Sequence, residues 1–150
     1  MENEKAKKIL QSIRYATVAT VDQNDNPWSA PVWYVFKDGK LYWWSSKSSQ
    51  HQRNIERNSK AFITIFDSTA PEGEGLGLYI KATVNSVAEE ILDTIIELYN
   101  SSTMVFKLDR ENTTGTAPTR LYEAVAVETW LNDGKTENGF WEDIRVPISS

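Results

Sequence analysis

Between residues 15 and 45 three runs of β-branched and aromatic residues follow one another with little between them. YATVATV (15–21) is followed by DQNDNP (22–27), WSAPVWYVF (28–36) by KDGK (37–40), and LYWW begins at Leu41. Runs of this composition read as strands. Asp38-Gly39 is the dipeptide of a tight hairpin. Turns this short join antiparallel neighbours, because a parallel crossover needs a dozen or more residues. The remainder of the chain has to build on that meander.

Further strands are expected at Ala61–Asp67, Leu78–Val87, Arg120–Trp130 and Trp141–Ile148. Helices are expected over 2–12, 50–58 and 88–100. The third has a broad apolar face of Ile91, Leu92, Ile95, Ile96, Leu98 and Tyr99. The small apolar patch of the first, Ile9, Leu10 and Ile13, has to lie on the barrel surface or on a partner subunit. Residues 68–77, 101–119 and 131–139 read as loops and turns. Six or seven strands with antiparallel turns and two or three helices make a mainly β, α+β barrel. The 150 residues read as one domain. Residues 1–14 are its N-terminal helix, 15–130 the barrel with inserted helices, and 131–150 a terminal turn and strand. Pro31 inside a strand removes a ladder donor, which points to an edge, a bulge or a place where a ligand replaces a neighbouring strand.

Charge and composition narrow the function. The formal net charge is −5, the wrong sign for a general nucleic-acid or anionic-membrane binder. With no Cys and one His, thiolate chemistry is excluded and a histidine metal site is not expected. The start of the chain, MENEKAKKILQSI, contains no long apolar run, so neither a signal peptide nor a membrane span is expected and the cytoplasm is the default location. Two carboxylates in PEGEG (71–75) with no third ligand read as solvated, and Glu89 and Glu90 suit a helix start.

WWSSKSSQHQRNI (43–55) concentrates what remains. A helix start offers unpaired N–H groups and partial positive charge, which suits an anion. Here Ser45, Ser46, Lys47, Ser48 and Ser49 precede it, and His51 stands in its first turn. Ser49 and Gln52 have the spacing of a capping box. One phosphate would be well served, with Trp43 and Trp44 beside it for a planar ring. A solvated loop, a plain helix cap and two core tryptophans have the same composition, and these residues by themselves do not choose.

YATVATVDQNDNPWSAPVWYVF, LYWWSSKSSQHQRNIERNSKAFITIFDST and PEGEGLGLYIKA, in that order, resemble the pyridoxamine 5'-phosphate oxidase-like family of FMN-binding split barrels. The resemblance runs from about Tyr15 to Trp130. It implies a six-stranded antiparallel split β-barrel with flanking helices, usually a homodimer with two FMN sites at the subunit interface. It places Ser29, Ala30, Pro31 and Val32 along the isoalloxazine ring, largely through backbone. It places Trp44 and Ser45 against the flavin, and Ser49, Gln50 and His51 at its phosphate. It matches Trp130 to an aromatic residue contributed by the partner subunit.

The family's true oxidases have arginine at Ser29, lysine at Tyr34, an arginine-lysine pair at Gln50-His51, and an Arg-x-His motif near the C-terminus that this chain lacks. Pyridoxamine 5'-phosphate oxidase activity is therefore not expected. The expectation is a flavin-dependent oxidoreductase of unknown substrate and electron donor. Lys47 and Arg53 are available to replace the missing cations, and Trp28, Trp33 and Trp43 to wall an apolar cleft. The alternatives are a relative binding the deazaflavin F420, a flavin-binding or sensing module without turnover, and a split-barrel dimer that has become structural.

Overall fold

The computed structural model describes residues 3–149. In chain order the elements are α1 (Glu4–Ser12), β1 (Tyr15–Val21), β2 (Pro27–Lys37), β3 (Lys40–Ser46), α2 (Gln50–Asn58), β4 (Lys60–Phe66), β5 (Gly77–Ser86), a 3-10 turn (Glu89–Ile91) running into α3 (Leu92–Ser102), β6 (Thr119–Glu137) and β7 (Phe140–Pro147). Residue 2, expected in the first helix, lies outside the described residues.

The strands form one antiparallel sheet in the order β3-β2-β1-β4-β5-β6-β7, and β3 also pairs with β6. That last pairing closes β1 to β6 into a six-stranded ring, with β7 outside it on β6. β6 is long enough to serve three partners. Thr119–Val125 pair with β3, Tyr122–Leu131 with β5, and Trp130–Glu137 with β7. The ring fills with the alternate residues that the strand period turns inward. Val18, Leu41, Trp43, Ile63, Ile80 and Ala124 are among the most deeply buried.

The two ends of the barrel are stopped by α1 and α2. Asn3 caps α1, its Oδ1 accepting from the N–H groups of Lys5 and Ala6. Ala6, Ile9 and Leu10 then enter the barrel core, so the apolar face of α1 is spent within the subunit. Tyr34 Oη donates to the Leu10 carbonyl at 3.2 Å. At the other end, Ile55 of α2 joins the same core. On the outside, α3 packs a second cluster containing Val35, Tyr42, Leu92, Ile95, Ile96 and Leu121, with Trp33 and Trp44 at its margin.

Two expected element bounds are corrected, besides the face of α1, which enters the core and lies neither on the barrel surface nor on a partner. LNDGKTENG is largely strand: Leu131–Glu137 continues β6 and only Asn138-Gly139 turns, both with positive φ (52° and 81°). The 88–100 helix begins as a 3-10 turn and extends to Ser102. There the hydroxyls of Ser101 and Ser102 bond the carbonyls three residues back.

Candidate functional site

β2 has two halves. Tyr34–Lys37 pair with β3 on one side, and Pro27–Trp33 pair with β1 on the other, with Tyr15↔Trp33 as the limit. Beyond Tyr34↔Trp43 the strands β2 and β3 part, and β3 continues along β6 alone, Ser45 opposite Arg120 and Ser46 opposite Thr119. The barrel is split there. Along the split Ser29, Ala30, Pro31 and Val32 have a strand neighbour on one side only. This is where Pro31 is tolerated, since its missing N–H removes no regular ladder bond on an open side. Ser29 and Pro31 are exposed, Ala30 is half-buried, and the Val32 side chain points into the core. Val32 therefore offers the split its backbone only.

The turn after β3 returns beneath the split. Lys47 N–H donates to the Pro118 carbonyl at 2.9 Å and Ser49 N–H to the Ser46 carbonyl at 3.2 Å. α2 follows and packs against β1 and β2. Asn54 fixes it: its Nδ2 donates to Thr20 Oγ1 at 3.0 Å, both groups being buried. Arg57 donates to the carbonyls of Val21 and Asp22 at 2.9 and 2.7 Å. Thr20 and Arg57 were not singled out in the sequence. Their only signal is the spacing of the helix motif N-I-x-x-N, whose first asparagine is Asn54.

The start of α2 is open. Ser49 is its N-cap residue but makes no side-chain cap bond. Its Oγ donates instead to the Ser46 carbonyl at 2.8 Å, so the expected capping box does not form. Gln52, its other half, is turned inward with both amide atoms buried and without a hydrogen-bond partner among the described residues. The first N–H groups of α2 are left for something else. His51 is buried, with Nε2 2.9 Å from Ser45 Oγ and 3.4 Å from Ser49 Oγ. Burial holds its imidazole below the usual histidine pKa, so it is neutral at pH 7.

Gln50 faces outward, its amide bridging Asn54 Oδ1 (2.8 Å) and Arg53 (2.8 Å). With Asp22, Gln23 and Arg57 these residues line a depression of about 410 Å³. Lys47 lies on the other flank of α2, beside Arg120 and a cavity of about 280 Å³. The spare cations thus stand on both sides of the serine turn.

Five tryptophans separate by environment. Trp43 is fully buried and stacked on Tyr122, with ring centroids 6.4 Å apart. It is core rather than cleft wall, because β3 is paired on both sides at that residue. Trp33 is half-buried, with Nε1 donating to Ser102 Oγ at 3.3 Å and its ring edge-on to Tyr15 at 5.4 Å. Trp28 is exposed. Trp44 is half-buried against α3. Trp130 stands ten residues up β6 from Arg120, the partner of Ser45, about 33 Å at strand spacing. It is stacked on Phe62 at 6.2 Å on the outer face of the sheet, and the chain does not bring it to its own serine turn.

In a search of family models, the one described as "Pyridoxamine 5'-phosphate oxidase" matches residues 3–131. No curated protein matches the sequence. Solved structures share the fold at low identity. A heme binding protein from Mycobacterium smegmatis superposes with a TM-score of 0.72 at 15% identity, over 95% of this chain and 57% of that one. An F420 reductase gives 0.62 at 16% identity, over 82% of this chain and 94% of that one. An FAD-binding protein from Mesorhizobium loti gives 0.62 at 10% identity, over 87% and 94%. The chain therefore spans little more than half of the heme binding protein.

Proposed function

The chain belongs to the pyridoxamine 5'-phosphate oxidase family, and on that premise we propose that it is an FMN-binding flavoprotein acting as an oxidoreductase on a small molecule. One observation carries the reading: the open edge of β2, Ser29–Val32, lies in a barrel split whose other lip leads through Ser45 into the uncapped start of α2. A tricyclic ring suits an open strand edge, which offers backbone groups without ladder partners. A phosphate suits a helix start with free N–H groups and hydroxyls beside it. Bound there, a flavin supplies hydride or electron transfer, and the protein supplies binding, orientation and electrostatics.

The residues present fit that division. Where the family's oxidases have an arginine-lysine pair, Gln50-His51 carries no charge, and the donors left to an anion are the free N–H groups at the start of α2 and the Ser45 hydroxyl beside them. Tyr34 does not replace their lysine, because it is a core residue whose hydroxyl is committed to Leu10. Pyridoxamine 5'-phosphate oxidase activity is accordingly not proposed. Trp130 would act from the second copy in a homodimer, since its own turn is out of reach. Trp28 and Trp33 flank the open edge as apolar walls for a substrate.

Among the cofactors bound by structural relatives, heme fits least well. The one histidine has Nε2 committed to two serines, leaving it poorly placed as an axial ligand. F420 is the second reading. Its longer acidic tail calls for cations, and Lys47 and Arg53 flank the turn. The test is the visible spectrum of the purified protein before and after incubation with FMN and gel filtration, repeated with F420. A retained flavin spectrum near one FMN per chain is expected. Retention of F420 in place of FMN, or of neither, overturns the FMN reading.

A further inference from the structure

The turn from Ser45 to Ser49 and the first turn of α2 hold few protons, and most are committed. A serine hydroxyl donates one hydrogen bond. Ser49 Oγ spends its proton on the Ser46 carbonyl at 2.8 Å. That oxygen also lies 3.4 Å from His51 Nε2. With its proton engaged it presents only lone pairs there, which favours a donor at the nitrogen it faces. Ser45 Oγ lies 2.9 Å from the same nitrogen. A bare Nε2 would set lone pair against lone pair at Ser49, whereas a protonated Nε2 is shared by both oxygens.

The neutral imidazole carries one proton, and two features keep it neutral. Burial disfavours the charged ring, and the positive end of the α2 dipole disfavours a second proton. These contacts favour Nε2 over Nδ1 as the site of that single proton.

We propose that His51 is a positioning residue for the anion site: its Nε2–H donates to Ser45 Oγ and so turns the Ser45 proton outward, adding one hydroxyl donor to the free N–H groups of α2. This rests on reading the split as the cofactor site. It specifies how a turn without the family's arginine-lysine pair takes a phosphate, by an oriented hydroxyl in place of a cation. It also decides between two uses of one contact. A serine 2.9 Å from a histidine nitrogen is equally the geometry of an activated nucleophile, but that chemistry needs Nε2 bare to take the Ser45 proton. With Nε2 protonated, Ser45 is a binding group.

His51 is the chain's one histidine, so a long-range ¹H–¹⁵N correlation spectrum of the ¹⁵N-labelled wild-type protein shows a single imidazole. The expected pattern is a protonated Nε2 and an unprotonated Nδ1, in the free protein at neutral pH. The reverse pattern overturns the proposal. The second arm titrates inorganic phosphate and, separately, FMN into variants. Ser45→Ala and His51→Ala should each weaken binding about tenfold or more, the worth of a hydrogen bond to a charged group. His51→Gln, whose amide nitrogen can donate from the Nε2 position, should restore most of it. Unchanged phosphate and FMN affinity in Ser45→Ala overturns the proposal whatever the tautomer. Phosphate binding that depends on Ser45, in a protein that retains no FMN, upholds it and removes the flavin reading instead.

Discussion

At the scale of single residues, α2 is held by a small number of buried polar contacts, and each has a measurable consequence. Asn54 joins Thr20 to Gln50 through both ends of its amide. Asn54→Ala leaves the Thr20 hydroxyl buried without that partner, which costs about 1–3 kcal/mol. The expected outcome is that loss in chemical denaturation, together with weaker flavin retention because the helix start is no longer fixed. Full flavin affinity in a destabilised variant would separate α2 from the site. His51 gives a pH dependence of definite sign. Its folded pKa lies below the unfolded value of 6.5, so near neutrality and above both states are unprotonated and it contributes no slope. Below about 6.5 the unfolded chain binds a proton that the folded chain resists, and stability falls with pH. Wild type should therefore lose more thermal stability than His51→Gln between about pH 8 and about pH 5. Parallel losses would mean that His51 is not the group responsible.

At the scale of elements, the sequence was most legible where a buried face selects the strand period. β1 alternates strictly between core and surface, and the Asp38-Gly39 hairpin supplies its positive φ angles where expected. The serine turn and helix start were legible as a unit, but the failure of the capping box was not. Whether Ser49 bonds its own helix or the Ser46 carbonyl depends on the path of the preceding turn, which Pro118 fixes from far along the chain. The β6–β7 ribbon was the hardest to read. It is exposed along most of β7, so no apolar alternation separates strand from turn, and Asn132, Asp133 and Gly134 look like punctuation. Tertiary contacts decide instead. Asn132 Oδ1 accepts from the Gly77 N–H at 2.5 Å, and its Nδ2 donates to the Gly75 carbonyl at 3.0 Å. Gly134 pairs with Asp143 in the strand, and the Trp141 ring lies so close over it that a Cβ would overlap ring atoms. Gly134→Ala should displace Trp141, seen as faster proteolysis near Asn138, with the barrel's melting temperature changed little. A large drop in that temperature would show that the ribbon supports the ring.

At the scale of the whole molecule, the outer face of β1 and β4 exposes Tyr15, Phe62 and Phe66, with Phe62 stacked on Trp130 and tilted against Tyr79. A patch of this kind marks an interaction surface, and it is the face that the homodimer proposed above would use. Phe62→Glu is expected to yield a folded monomer by light scattering, with flavin retention lost along with the partner's Trp130. A persistent dimer, or a monomer with full retention, would place the contact elsewhere. The ring has another consequence, for synthesis. β3 is made early, yet the strand that closes the barrel beside it is residues 119–125. Until that segment leaves the ribosome, β3 and β5 present edges that any other nascent chain can pair with. Closure over so long a sequence separation is also slow. A stop codon or stalled ribosome ahead of residue 119 therefore releases an open sheet with sticky borders, and its fate is set by chaperone supply and translation speed before the barrel split has formed.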